Sequence, residues 1–236
     1  MRIWDVHPGY LNRQSLLGEH RELHGIVSIL VNGKKGYSRH PETRRWVGHG
    51  WALRRRHLLI AAEMNLRGYT DRSPVRTRSG HGSWPVVYID EPADQFAILA
   101  EKYREREQGR IPLPKNAIQL WSHHKYSILA RDQELYRKIG REVAAMDDPR
   151  DMTVLARTLT ERMRVTPSSG GVRNALEHMW GHVSSIEPLS GERATAWSAA
   201  RLLREIQRRA LDCGETYLLA STALSELTLW TAVTDA

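Results

Sequence analysis

Cysteine is nearly absent from the sequence, which has only Cys213 among its 236 residues. A single cysteine excludes an intrachain disulfide framework and a cysteine-based metal centre. Long apolar runs are also missing, because no stretch of 18 apolar residues occurs and the first residues lack the apolar segment of a secretory signal peptide. We therefore expect a cytoplasmic protein without a membrane partner, in which Cys213 is structurally inert.

Strand-like alternation of apolar and polar residues is missing as well, and neither internal repeats nor low-complexity tracts occur. The apolar residues instead recur at helical spacing, which predicts an all-α protein. The predicted helices lie at about 12–32, 42–68, 92–108, 117–145, 150–163, 171–186, 190–211 and 217–232.

The segment GRIPLPKN, residues 109–116, separates two helical regions. Its two prolines interrupt a charged helical run, and a new amphipathic pattern starts at Ala117. We therefore predict two helical domains, at residues 1–113 and 117–236, the first compact and the second a helical bundle.

The net positive charge lies in the first half of the chain. Residues 1–115 contain 20 lysines and arginines against 12 acidic residues, whereas residues 116–236 contain 15 of each. This asymmetry indicates a polyanionic partner for the first domain, and nucleic acid is the commonest such partner. A solvated charged surface is an equally simple explanation of the basic cluster LRRRH. The other two basic clusters are NGKKGYSRH, with Lys34 and Lys35, and a loop with Arg72, Arg76 and Arg78.

The first predicted helix contains the stretch LLGEHRELHGI, residues 16–26, and Asn12 is a suitable N-cap for it. Glu22 lies away from the apolar side of this helix, and one turn on either side of it are Gly18 and Gly25. A glycine inside a helix costs about 1 kcal/mol relative to alanine. Two of them beside one carboxylate indicate either a ligand that approaches the helix closely or a second helix packed against that face.

Two histidine pairs have the four-residue spacing at which a helix brings side chains together, His20 with His24 and His178 with His182. Catalytic zinc normally takes three protein ligands, and neither pair has an obvious third ligand nearby. We therefore predict no metal site. The segment TPSSGGVRN, residues 166–174, could hold an anion at a helix start, although a plain capping loop explains it more simply.

The first domain contains four further informative segments: MRIWDVHPGYLNRQSLLGEHRELHGI, NGKKGYSRHPE, RWVGH and RRRHLLIAAEMNLRGY. They resemble the pyrimidine dimer DNA glycosylase family of the bacteriophage endonuclease V type, and the resemblance covers about residues 1–115. It implies a compact helical domain of that type and a DNA repair glycosylase with AP lyase activity on UV-induced pyrimidine dimers. It also implies double-stranded damaged DNA as the partner, a nucleoid location and no cofactor.

In this family a terminal α-amine attacks C1′ of the damaged nucleotide's sugar, releases the base and leaves an imine that undergoes β-elimination. The resemblance places these roles on Met1 as the nucleophile and on Glu22 as the catalytic carboxylate. Methionine before the bulky Arg2 is normally retained, so the Met1 amine is in register for this chemistry. An α-amine ordinarily has a pKa of about 7.7 to 8.0, against about 10.4 for lysine. An amine nucleophile of this kind suits a chain in which only 6 of the 35 basic residues are lysines.

The resemblance also implies contacts to the substrate. Arg2, Arg13 and Arg21 would bind phosphate or sugar close to the reacting site, and His20, on the same helix as Glu22, is a further predicted DNA-binding residue. The missing side chains of Gly18 and Gly25 would admit the deoxyribose backbone. The predicted outer contacts to the DNA backbone are Lys34, Lys35, Arg72, Arg76 and Arg78.

The second domain contains LWSHHKYSILARDQELYRKIGREVA, VRNALEHMWGHVS and GETYLLAS. These segments are similar to an uncharacterised all-helical bacterial domain family that also occurs attached to a thiouracil-desulfidase-type domain. Both partner types act on altered pyrimidines, so the resemblance implies a role in substrate recognition. The candidate surface residues are Trp121, His123, His124, Lys125, His178 and Trp180.

Two alternative functions remain open at this point. The same imine chemistry could act on another modified pyrimidine in DNA or RNA, chosen by the second domain, or the chain could bind nucleic acid without catalysis. The sequence does not specify the oligomeric state.

Overall fold

The computed structural model describes residues 1–77, 80–185 and 194–234, and within these ranges the regular structure is helical, with no strand. The all-α prediction is therefore confirmed. The chain divides into two compact units, residues 1–109 and 110–236, a division that falls inside the proline-containing segment identified in the sequence. In the described part of the chain, no helix is long and apolar enough to cross a bilayer.

The first unit begins with an N-terminal arm, residues 1–12, which includes a short 3-10 turn at Pro8–Tyr10. Four α-helices follow the arm in the described residues of this unit. They are α1 (Arg13–Asn32), α2 (Pro41–Arg45), α3 (Gly50–Leu66) and α4 (Pro92–Lys102).

Helix α1 begins and ends at the residues that local sequence signals favour. Asn12 is its N-cap, as predicted, and the Asn12 Oδ1 accepts the Ser15 N–H at 2.9 Å. Gly33 ends the helix with φ of +61°, a left-handed conformation that glycine adopts without steric cost. Leu16 and Leu23 on the core side are completely buried, so this side of α1 is fixed against the core.

Some predicted helices are interrupted. The continuous helix predicted at 42–68 is two helices, because the chain turns between α2 and α3, where Gly48 has φ of +82°. The helix predicted at 92–108 ends at Lys102, and the one predicted at 117–145 is broken before Asp132, whose carboxylate caps a new helix. Apolar spacing continues across such breaks, so it does not distinguish one long helix from two successive ones.

The N-terminal arm packs into the core of the first unit. Ile3, Val6 and Leu11 are each no more than 2% exposed. At the end of α3, the Arg67 guanidinium donates to the carbonyl oxygens of Leu11 at 2.7 Å and Gly9 at 3.0 Å. These contacts fix the path of the arm from residue 3 to the start of α1.

A buried ion pair joins the arm to α1 and α3. The Arg56 guanidinium donates to both carboxylate oxygens of Glu19, at 2.7 and 3.0 Å, and to the Val6 carbonyl oxygen at 2.9 Å. Glu19 and Arg56 are 2% and 3% exposed. Burial raises the pKa of the Glu19 carboxyl, and the positive charge of Arg56 opposes that rise.

The second unit is also helical. Two helices were predicted at 171–186 and 190–211, and the parts of these predictions that fall on residues 186–193 lie outside the described residues. The single helix predicted at 217–232 is three short helices in the structure. The helices are α5 (Ala117–Leu129), α6 (Gln133–Ala144), α7 (Thr153–Met163), α8 (Ser169–Trp180), α9 (Ala199–Cys213), α10 (Thr216–Leu219), α11 (Ala223–Glu226) and α12 (Thr228–Thr234).

The core of the second unit contains its own buried carboxylate. Glu226 is 1% exposed, pairs with Arg131, and accepts from the Ser127 hydroxyl at 2.9 Å and the Trp230 indole N–H at 2.7 Å. These bonds connect α5, α11 and α12. The hydrogen-bonded Glu226 carboxylate therefore occupies a place in the core that an apolar side chain would ordinarily fill.

We expect Arg56→Ala to lower the free energy of unfolding of the first unit by about 3 to 5 kcal/mol, because it leaves the Glu19 carboxylate buried and unpaired. The difference in the free energy of unfolding between wild type and variant should become smaller as the pH falls, since protonation of Glu19 removes the uncompensated charge. Urea unfolding of the full chain, with hydrogen exchange of residues 1–109, measures both effects. The control is Arg104→Ala, which breaks an exposed pair with Glu101 and should cost no more than about 1 kcal/mol. Equal losses in the two variants would contradict the assigned role of the buried pair.

Candidate functional site

The arm brings the first two residues to the carboxylate of Glu22 on α1. The backbone N–H of Arg2 donates a hydrogen bond to Glu22 Oε2. Three covalent bonds separate the Met1 nitrogen from the Arg2 nitrogen, so the Met1 nitrogen lies within about 7 Å of that carboxylate. The two residues that the resemblance makes catalytic, Met1 and Glu22, are therefore close together.

Hydrogen bonds from α4 hold the arm in this position. The Asp5 backbone N–H donates to Gln95 Oε1 at 2.8 Å, and the Gln95 amide donates to Asp5 Oδ2 at 3.0 Å and to the Asp90 carbonyl oxygen at 2.8 Å. Asp5 also pairs with Arg45 of α2, which contacts the Glu42 carboxylate at 3.3 Å. Polar contacts of Asp5 with Gln95 of α4 and with Arg45 of α2 thus fix the start of the chain.

A cleft of about 290 Å³ opens beside Glu22. Lys102 and Arg106, at and beyond the end of α4, line it although they were not predicted as site residues. The only sequence signal for them was the charged run that ends the 92–108 segment. Together with Arg2 and Arg21 they make the cleft cationic. Its lining residues are Arg2, Trp4, Gln14, Ser15, Gly18, Glu19, Arg21, Glu22, Lys102 and Arg106.

The glycines on either side of Glu22 face open space. An added Cβ at Gly18 or Gly25 would have no atom of the described residues within 4 Å, apart from its own helix. The alternative of a second helix packed against this face is therefore wrong for the part of the chain that the structure describes. Gly18 lines the cleft, whereas Gly25 does not.

The three arginines predicted close to the reacting site have different surroundings. Arg21 is exposed and lines the cleft. The Arg2 side chain also lines it, but it pairs with Asp90 and lies over the Trp4 ring, 4.2 Å from its centroid. Arg13 is exposed at the first residue of α1 and does not line the cleft.

The predicted outer contacts lie elsewhere on the first unit. Lys34 and Lys35 are exposed after α1, and Arg72 and Arg76 are exposed in the loop after α3. Arg78 lies outside the described residues. None of the four described residues lines the cleft, so their contact with a nucleic acid stays a prediction.

His20 does not line the cleft either, but belongs to a cluster that sequence spacing did not reveal. The ligand nitrogens of His20, His24 and His57 and a carboxylate oxygen of Asp71 all lie within 4.8 Å of one another. The third ligand that the sequence did not supply for the His20 and His24 pair is therefore present, and so is a fourth. Burial lowers the pKa of His57 to about 4, and burial with the neighbouring His20 lowers that of His24.

In the part of the chain that the structure describes, the second histidine pair belongs to no cluster of this kind. His182 shares a hydrogen bond of 2.7 Å with the Tyr126 hydroxyl and stacks on the Tyr217 ring at 5.1 Å, while His178 is exposed. Ser168 caps α8 by accepting the Gly171 N–H, which agrees with the capping-loop interpretation of residues 166–174.

The candidate recognition surface of the second unit is partly core. His123 and His124 are 6% and 4% exposed, and burial lowers their pKa values to about 4 and about 3. Both are therefore neutral packing residues and not surface groups. Lys125 lies over the rings of Tyr126 and Tyr217, while Trp121 and Trp180 are half-buried.

Comparison with known proteins gives two family matches. Residues 1–77 match the family described as Pyrimidine dimer DNA glycosylase, and residues 125–195 match Protein of unknown function (DUF1722). The domain types and their order confirm the resemblances seen in the sequence, although the first match ends at residue 77 and not near 115. No curated protein and no solved structure matches the chain. At the family level, the first match supports a glycosylase-like function and implies DNA binding.

The open space at the two glycines predicts that Gly18→Ala and Gly25→Ala each raise the free energy of unfolding by about 0.5 to 1 kcal/mol, because alanine restricts the unfolded chain and meets no neighbour. Urea unfolding measures this change. Gly109→Ala is the control, since its Cβ would lie 2.5 Å from the Tyr10 backbone carbonyl group and should destabilise the fold. A loss of stability in either helical variant would reveal a contact on that face.

Proposed function

We propose that the first unit is a DNA glycosylase and AP lyase that acts on UV-induced pyrimidine dimers through an imine formed by the Met1 α-amine. The observation that carries the proposal is the fold of the arm, which holds the first two residues against Glu22 at the edge of a cationic cleft. The match of residues 1–77 to the pyrimidine dimer glycosylase family supports the substrate class.

The proposed reaction begins with attack of the neutral Met1 amine on C1′ of the damaged nucleotide. The bond between C1′ and the base nitrogen breaks, and its electron pair leaves with the base, which takes up a proton. The attached amine loses a proton and the sugar ring opens to an imine. Removal of a C2′ proton then expels the 3′ phosphate by β-elimination, which cuts the strand.

Glu22 has two roles in this scheme. Its carboxylate stabilises the positive charge that develops on the sugar as the glycosidic bond breaks, and it moves protons during imine formation and elimination. The hydrogen bond from the Arg2 N–H fixes the carboxylate relative to the neighbouring amine. Glu19, three residues earlier on α1, cannot replace it, because Arg56 donates to both of its carboxylate oxygens.

The surroundings of Glu22 suit a DNA strand. Arg21, Lys102 and Arg106 supply positive charge along the cleft, and none of the three forms an ion pair with a described residue. Gly18 leaves room for the sugar-phosphate backbone to approach α1. Charge of this kind binds phosphates, whereas the open helix face admits a nucleotide displaced from the duplex.

Borohydride trapping on UV-irradiated duplex DNA tests the covalent step. We expect a chain with a free Met1 amine to give an irreversible protein–DNA adduct, and the same chain acetylated at that amine to give none, because acylation removes the nucleophile. Peptide mapping of the adduct identifies the attached residue. An adduct on abasic DNA but not on dimers would favour another modified pyrimidine as the substrate, and no adduct on either would leave only DNA binding.

The carboxylate is tested with Glu22→Gln, which keeps the size of the side chain but removes its charge and its proton-accepting oxygen. We expect strand cleavage to fall by about 10²-fold or more while the fold is retained. Glu101→Gln, an exposed carboxylate of α4 outside the cleft, is the matched control and should leave cleavage unchanged. Equal activity in the two variants would remove Glu22 from the mechanism.

The cleft charges are tested with the double variant Lys102→Ala and Arg106→Ala. We expect weaker DNA binding. The slope of log K against log salt concentration should also become less steep, by about one for each phosphate that the variant no longer neutralises. Fluorescence anisotropy at several salt concentrations measures both. Arg104→Ala removes a neighbouring arginine that pairs with Glu101 and does not line the cleft, so it should change neither quantity. The same salt slope in wild type and double variant would place the DNA elsewhere.

A further inference from the structure

Three histidines and one aspartate from separate parts of the first unit converge on one point. His20 and His24 come from α1, His57 from α3, and Asp71 from the loop that follows α3. We propose that they form a structural binding site for one divalent transition-metal ion, with Zn²⁺ as the ion that fits best. This proposal does not rest on the glycosylase activity.

The spacing of the four groups approaches that of a tetrahedral site, since one ligand atom from each lies within 4.8 Å of the other three. Zinc binds imidazole nitrogen and carboxylate oxygen at about 2.0 to 2.2 Å, and tetrahedral geometry then places neighbouring ligand atoms about 3.3 to 3.6 Å apart. His20 Nε2 lies 3.3 Å from His24 Nε2 and 3.2 Å from Asp71 Oδ1. His57 Nε2 lies 3.4 Å from Asp71 Oδ2. Small shifts of the side chains are therefore enough to place an ion between them.

Hydrogen bonds alone do not satisfy the cluster. A neutral imidazole has one N–H, so His20 Nε2 can donate to Asp71 or accept from His24, but it cannot do both. The His57 side chain is 3% exposed, and its Nε2 has no hydrogen-bond partner among the described residues, since its approach to Asp71 does not form a hydrogen bond. A buried nitrogen without such a partner, on a ring whose centroid lies 5.2 Å from that of His20 and 5.0 Å from that of His24, is explained by a ligand between the three imidazoles.

The ligand set points to zinc. Three imidazoles and one carboxylate are the nitrogen and oxygen donors that zinc accepts, while thiolate sites for softer ions are absent from the described chain. The backbone N–H of Ser73 donates to Asp71 Oδ1 at 2.9 Å and so orients the carboxylate from outside the site. Outer hydrogen bonds of this kind commonly fix metal ligands.

The position of the site indicates a structural and not a catalytic ion. Residues two positions apart on an α-helix point about 200° apart, so His20 and His24 face nearly opposite to Glu22. Four protein ligands also leave no open position for a substrate. The ion would tie the loop after α3 to α1 and α3, and this loop carries the exposed Arg72 and Arg76.

The test uses the untagged full-length chain, because a histidine tag binds zinc itself. After chelation and dialysis, Zn²⁺ is added and the bound metal is measured by plasma mass spectrometry and by competition with a chromophoric chelator. We expect one zinc per chain, a higher thermal midpoint with zinc, and slower hydrogen exchange in residues 69–77. Co²⁺ in its place should show the intense visible absorption of a tetrahedral ion.

Two substitutions each remove one proposed zinc ligand without deleting an apolar side chain from the core. Asp71→Asn and His20→Asn should each weaken zinc binding by about 10²-fold or more, since loss of an outer-shell partner alone costs about 10- to 100-fold. His81→Asn replaces an exposed histidine of the same unit that lies outside the cluster and should leave the affinity unchanged. Circular dichroism checks that each variant is folded. Failure of the wild type to bind zinc, or equal binding by wild type and both ligand variants, would overturn the proposal.

Discussion

The position of the N-terminal arm depends on buried ion pairs that hold it against the helices. One guanidinium, that of Arg56, binds the Glu19 carboxylate of α1 and the Val6 carbonyl of the arm, and Asp5 pairs with Arg45 of α2. Burying charge is expensive, and apolar side chains of the same volume often stabilise a fold equally well. We infer that these pairs matter for where they place the first two residues, because apolar contacts do not fix orientation as tightly.

Helix α1 connects the three regions of the first unit. Its apolar side, with Leu16 and Leu23, is buried, its Glu22 side borders the cationic cleft, and His20 and His24 lie on a third side with the histidine cluster. Because a packed helix moves as one body, the cleft and the cluster share a rigid support. An ion in the cluster would therefore affect the loop after α3 directly, but the cleft only through the position of α1.

The sequence predicted those features that are encoded within a few residues. The Asn12 cap, the all-helical class and the position of Glu22 between two helical glycines follow from local spacing, but that spacing left open whether a ligand or a second helix covers the glycine face. Lys102 and the His57 ligand were missed because nothing local relates them to α1, which ends 25 or more residues earlier in the chain. Gly48 was missed for another reason, since apolar periodicity continues through the turn that its positive φ allows.

The cleft combines features that cost stability. A helical glycine at position 18 costs about 1 kcal/mol relative to alanine, and no described neighbour would clash with a methyl group there. Lys102 and Arg106 form no ion pair with a described residue, and their charges and that of Arg21 line the same cleft and repel one another. No contact among the described residues of the first unit accounts for open space and like charges at the same place, whereas the proposed binding of a phosphate backbone accounts for both. Gly25 shares the open face but lies outside the cleft, and nothing in the structure explains it.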